Sequence, residues 1–293
     1  MEEATTSPGQ TLAISRILRF NHRERLLVKP IHWSSRHLEL LGCSFGKPAR
    51  EPKVAAPVLF GPLGSGHLRD AFASMDWRLP YRCDALDELL SNDELYLYQH
   101  NLGFFFNDKH VETLRCRVLF SPDPQHGILA AYVDLDFIYE LRAKSVGLPI
   151  YSPCCQIRKR LALLRLKKIT PSVRLHDPYV VAILIAIAHE NSVEQEANTS
   201  FFSQVVLSSR NKDRVFIYRA HITSSLLRSL DEPTFNPTDP LSIPIQVQTI
   251  RYKPYRSFRD RLHAQLYDGR DLSRSKELVK ELQKRPCQSG PTG

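Results

Sequence analysis

Residues 177–191, DPYVVAILIAIAHEN, decide the fold, because no side chain from Val180 to Ala188 is polar. Such a segment has to be buried on nearly all sides, whatever its backbone does. Val180, Val181, Ile183, Ile185 and Ile187 are β-branched and favour a strand. The start of the segment favours a helix: Asp177 can accept a hydrogen bond from a free N–H as N-cap, and Pro178 suits the first helical position, where no donor is needed. A core helix is therefore predicted over 177–189, closed by His189, Glu190 and Asn191. Its apolar run of about 12 residues is too short for a bilayer, which takes roughly 20.

Downstream, 202–208 and 214–222 read as two strands around the turn formers Ser209, Arg210, Asn211, Lys212 and Asp213. A helix followed by a hairpin is an α+β pattern and not a βαβ unit. Upstream, 84–90 (DALDELL) is predicted helical, 95–98, 102–106 and 114–120 as strands, and 128–139 (ILAAYVDLDFIY) as one long strand after the proline-rich turn 121–127. The two halves are expected to share one sheet with helices on one face. Thr11 to Leu41 offers only short elements, around Ile14, Ile17 and Leu18 and around Leu26, Leu27 and Val28. Four prolines and five glycines make 42–66 mainly loop, and Pro244 makes 243–250 an edge strand. Phe258, Leu262 and Leu266 mark an amphipathic helix with Ser257 as its cap, after a brief helix at 224–230. The expected organisation is a disordered tail at 1–10, one α+β domain over 11–270 with antiparallel hairpins on the buried helix, and an exposed charged helix with a frayed end at 271–293.

The net charge of +9 allows an acidic partner such as nucleic acid, although charge alone speaks to association rather than fold. The opening residues carry no basic region followed by an apolar run, so no secretory signal is read there. Six cysteines show no CxxC pair, and reduced thiols in a cytoplasmic or nuclear setting are the expectation, with no cofactor and no membrane. Gly61 to Asp70 has the glycines of a phosphate loop but not its Lys-Ser/Thr pair, so it reads as a turn before a short helix at 67–75.

Two groups of residues carry candidate chemistry. If 131–139 is a strand, alternation places Asp134 and Asp136 on one face, where they could share a hard divalent cation, with Glu112, Glu140 and Lys109 nearest in sequence to complete a site. Acids on a solvent face give the same pattern. The second group lies in 141–176, where nine lysines and arginines occur without an acid. Arg158, Lys159 and Arg160, then Arg165, Lys167 and Lys168, are interleaved with Leu161, Leu163, Leu164 and Leu166. Such a run can contact phosphates, or can be a helix whose long basic side chains lie over apolar neighbours. No GxSxG, HExxH or kinase-like set is present, and His189 and His221 at the ends of core elements read as boundary residues.

The segments Asp177-Pro178-Tyr179-Val180-Val181-Ala182, Phe216-Ile217-Tyr218 with Ala220-His221-Ile222, and Tyr252-Lys253-Pro254-Tyr255 with Phe258 carry a resemblance. Over about 95–266 the chain resembles a family of uncharacterised intracellular proteins largely restricted to filamentous fungi. The resemblance implies at most an accessory role beside secondary-metabolite biosynthesis, and no catalytic residue. The leading expectation is a soluble accessory or binding protein whose partner is a protein or a small molecule. The alternatives are nucleic-acid binding through 141–176 and a divalent-metal enzyme using Asp134 and Asp136.

Overall fold

A computed structural model describes residues 12–22, 24, 26–50, 79–90, 97–121, 127–148, 155–194, 199–210 and 213–267. The tail at 1–10, the glycine-rich 61–70 with its helix at 67–75, and the charged helix expected within 271–293 lie outside the described residues.

The predicted core helix is α6 (Pro178–Glu194). Asp177 Oδ1 accepts from the Tyr179 N–H at 2.9 Å, as an N-cap should. No residue from Tyr179 to Ala188 is more than 2% exposed. The helix runs past its expected stop because Asn191 is not a cap. Its side-chain oxygen accepts from Ile128 N–H at 2.7 Å and its amide donates to Ile128 C=O at 3.2 Å, stitching the helix to a strand. Asn191→Leu leaves both buried backbone groups unpaired, each worth roughly 1–3 kcal/mol. Urea unfolding of that variant is expected to show a loss of about 2–4 kcal/mol.

Among the described residues, one mixed sheet has eight strands: β1 (Cys43–Phe45), β2 (Ala49–Arg50), β3 (Leu97–Phe106), β4 (Lys109–Phe120), β5 (Ile128–Asp134), β6 (Ser200–Ser208), β7 (Arg214–Thr223) and β8 (Ile243–Arg251). The order is β1-β8-β7-β6-β5-β4-β3, with β2 also on β8. The hairpin β6–β7 stands where the sequence places it, and β4 and β5 pair antiparallel across 121–127. Between β3 and β4 the chain turns at Asn107 and Asp108, both with φ of 54°, the left-handed pair that a two-residue hairpin turn requires.

Helices and sheet make this an α+β fold, with four corrections. First, the strand read as 128–139 ends at Asp134, and Leu135–Ser145 is a helix, α4. Second, β5 and β6 pair in parallel, so the excursion through α4, α5 (Gln156–Ile169) and α6 is a βαβ crossover after all. Third, β8 is not an edge, because β1 and β2 from the expected loop pair with it in parallel, Ser44 opposite Pro244. Gly42, at φ +64°, permits that approach, since a Cβ there would meet the Leu241 carbonyl oxygen at 2.0 Å. Fourth, helices cover both faces of the sheet. Val133, Val205, Leu207 and Tyr218 face α6, α2 (Ser35–Leu40) and α7 (Ser224–Asp231). Tyr132, Val206 and Ile217 face α3 (Leu79–Leu90) and α8 (Tyr255–Tyr267), where Phe258, Leu262 and Leu266 are buried as their spacing predicts. Among the described residues no helix is long and apolar enough to cross a membrane.

Candidate functional site

The two aspartates of the sequence reading are not on one strand face. Asp134 closes β5 and caps α4, its Oδ1 accepting from Asp136 N–H at 2.8 Å and Phe137 N–H at 3.4 Å. Its Oδ2 accepts from the Ser208 hydroxyl, which also meets the Tyr132 hydroxyl at 3.0 Å. Asp136, in the first turn of α4, is instead the counter-ion of Arg210 at 3.2 Å and Arg174 at 3.5 Å. Glu112 is engaged by Lys29 at 3.1 Å. Among the described residues no three His, Cys, Asp or Glu side chains form a group that could hold a metal ion. A cleft of about 260 Å³ does open beside Asp134, Arg115, Arg117 and Asp84.

The histidines flagged in the sequence are also tied to structure. His189 stacks on Phe105 at 5.3 Å and meets Asp231 at 3.3 Å, and His221 is exposed beside Phe202. Burial pushes the thiols of Cys43 and Cys116 up to about 12, so neither is a thiolate nucleophile at neutral pH.

The basic run folds as α5 over Gln156–Ile169, and only Ala162 and Leu166 of that helix are buried. Arg158, Lys159, Arg160, Arg165, Lys167 and Lys168 are all exposed, and among the described residues none makes an ion pair. Of the nine cations, Arg142 stands apart, buried and bonded to Asp177.

The described residues also enclose a concave site that the sequence does not announce, an apolar cavity of about 440 Å³ lined by N-terminal residues and by parts of β3, β4 and the segment before β8. Three segments remote in sequence wall it. Ile14, Ile17 and Leu18, at helical spacing on α1 (Ile14–Phe20), form one side. Phe104 and Phe106 of β3 and Val111 of β4 form another, and Leu230 and Leu241 close the far end. The floor and rim come from 26–41, through Leu26, Leu27, Val28, Trp33, His37, Leu40 and Leu41. Among the described residues of the lining, Lys29 and His37 alone carry ionisable groups.

A network of local bonds holds this rim. Trp33 Nε1 donates to Val28 C=O at 3.2 Å, and its ring meets Phe104 edge-on at 5.3 Å. His37 stacks on Trp33 with centroids 5.6 Å apart and planes 10° apart. Arg36 spans the segment by bonds to Glu24, Glu39 and Asn21, each 3.0 Å long. His37 Nδ1 accepts from Ser34 N–H at 3.1 Å, completing a capping box at the start of α2, while Nε2 lies 3.1 Å from Leu26 C=O, which it can only meet as a donor. The ring is thus a neutral tautomer with both nitrogens used.

Burial lowers the pKa of His37 below its ordinary 6.5, with the bond to the Leu26 carbonyl opposing. A histidine lowered on folding binds fewer protons folded than unfolded, so its contribution is complete above about pH 6.5 and is lost as pH falls from there through the lower folded pKa. His32, also lowered chiefly by burial, acts in the same sense. Unfolding measured between pH 8 and 5 is expected to show stability falling on the acid side, with a shallower slope in His37→Gln.

Sequence reasoning marked Ile14, Ile17, Leu18 and Leu26 to Val28 only as short elements, and missed Trp33 and His37. The available signals were the i, i+3, i+4 recurrence at 14, 17 and 18 and the Ser34-x-x-His37 spacing. The fold and site together define an α+β protein with an apolar pocket in which Lys29, Trp33 and His37, the described polar members, are already bonded. Comparison with protein-family models gives no match, and comparison with curated proteins gives none.

Proposed function

We propose that this chain is a non-enzymatic binding protein that holds an apolar small molecule in the cavity between α1, α2 and the β3–β4 hairpin. The observation that carries the reading is the lining itself: its described residues are apolar except Lys29, paired with Glu112, and His37, whose nitrogens are both bonded within the protein. Pockets of roughly 300–1,000 Å³ with this character are the usual form of small-molecule sites. Among the described residues of the lining no side chain is placed to act as nucleophile or base, which supports binding over turnover. An accessory place in a fungal secondary-metabolite pathway is compatible with such a ligand and rests on the resemblance alone.

Two other readings receive less support. Among the described residues a metal enzyme built on Asp134 and Asp136 lacks converging ligands, and both carboxylates hold local structure. Nucleic-acid binding through α5 keeps the support of its exposed cations, yet the apolar side chains exposed among them have no counterpart in a phosphate backbone.

A ligand of about 20 non-hydrogen atoms at roughly 0.3 kcal/mol each binds with about 6 kcal/mol, a dissociation constant in the tens of micromolar. Titration with N-phenyl-1-naphthylamine, an uncharged apolar fluorophore, is expected to saturate at one equivalent in that range. Val111→Phe, which fills the cavity from a half-buried position, is expected to weaken it at least about tenfold. Absence of saturable binding, or equal affinity in Val111→Phe, overturns the reading.

A further inference from the structure

Helix α5 presents an outward ridge that the other described elements leave exposed. Ile157, Leu161 and Leu164 recur at i, i+4 and i+7, and are 76%, 48% and 67% exposed. The buried pair Ala162 and Leu166, which seats the helix, lies on the opposite side of its circumference. In a heptad frame Ile157 and Leu164 occupy d and Leu161 occupies a. The flanking positions then fall into place: Arg158 and Arg165 at e, Arg160 and Lys167 at g. All four are cations, and among the described residues none is paired.

That arrangement selects among occupants. An apolar seam flanked by e and g charges is the recognition surface of a paired helix, and those charges set the choice of partner. A second copy of α5 would bring cations against cations, which disfavours self-pairing. A nucleic acid would satisfy the cations and leave the Ile/Leu ridge in water. We propose that α5 docks an amphipathic helix of a partner protein, with leucine-type residues along its seam and Asp or Glu at the flanking positions. The helix is 14 residues long, so the contact spans about 21 Å. This inference is independent of the cavity, and its test shares no residue with the one given above.

The test uses the full chain and a fluorescein-labelled synthetic helix about three heptads long with Leu at a and d and Glu at e and g. Three controls accompany it: the same peptide with Lys at e and g, a Glu peptide with its heptads scrambled, and duplex and single-stranded DNA oligonucleotides. The Glu peptide is expected to raise anisotropy saturably and to weaken with salt. Leu161→Ser/Leu164→Ser, at exposed positions, is expected to lose at least about tenfold in affinity while circular dichroism stays unchanged. Arg158→Glu/Arg165→Glu is expected to reverse the preference toward the Lys peptide. The proposal is overturned if the Glu peptide fails to bind or if the scrambled peptide binds equally. It is also overturned if DNA binds more tightly, through cations whose loss matters while the leucines do not, since the surface is then one for nucleic acid.

Discussion

Asp177→Ala is expected to remove about 3–5 kcal/mol of stability, the range for breaking a buried ion pair from one side. Arg142 Nη1 donates to Asp177 Oδ2 and Nη2 to Oδ1, each at 2.6 Å, and both side chains are 2% exposed. Nε adds a bond to the Ile31 carbonyl at 3.2 Å, so one guanidinium ties α4, the start of α6 and the segment leading into the cavity rim. Removing the carboxylate leaves a buried cation without its partner and also removes the cap on Tyr179 N–H. Against a total typically between about 5 and 15 kcal/mol, the loss is large, and a fall in Tm of roughly 5–10 °C is expected. The Arg142→Met/Asp177→Ala double variant is expected to be more stable than Asp177→Ala alone, because the orphaned charge has gone with it. Thermal and urea unfolding of both variants decides this, and a double variant no better than the single contradicts the assignment.

The second large effect is expected for Trp33→Ala, at about 3–5 kcal/mol, the usual range for truncating a buried aromatic. The indole is 6% exposed, carries the stacking of His37 and the edge contact of Phe104, and bonds Val28. Trp33→Phe keeps an aromatic body against Phe104 and gives up the bond to Val28, so about 1 kcal/mol beyond its packing change is expected from that bond. Unfolding free energies of the two variants, measured together, separate the packing from the hydrogen bond. If Ala and Phe cost the same, the packing account of the rim is wrong.

What was legible in the sequence follows from where the information sits. The core helix could be read because Asp177 and Pro178 specify a helix start locally, while the apolar run fixes burial. The end of β5 could not, because Leu135 to Tyr139 continues the apolar pattern and Asp134 serves both as last strand residue and as cap, a distinction that lies in backbone dihedrals. The pairing of β1 and β2 with β8 joins segments about two hundred positions apart, such as Cys43 and Ile243, and two- or three-residue strands leave no periodicity to detect. The basic helix was readable as a charge run. Its exposed ridge was not, because only the packing of Ala162 and Leu166 shows which face turns outward. The cavity was hidden for a similar reason: Ile14, Phe104, Val111 and Leu241 each look like ordinary core residues until the fold sets them around one space.

The central claim is that an apolar ligand enters that space and no other. The most direct measurement is methyl-resolved NMR of the full chain titrated with N-phenyl-1-naphthylamine. The account predicts saturable shifts at Ile14, Ile17, Val111 and Leu230, with Ile183 in the core helix and Ile217 under α8 unmoved. Shifts centred instead on Ile157, Leu161 and Leu164, or no saturable shift at any methyl, would contradict it.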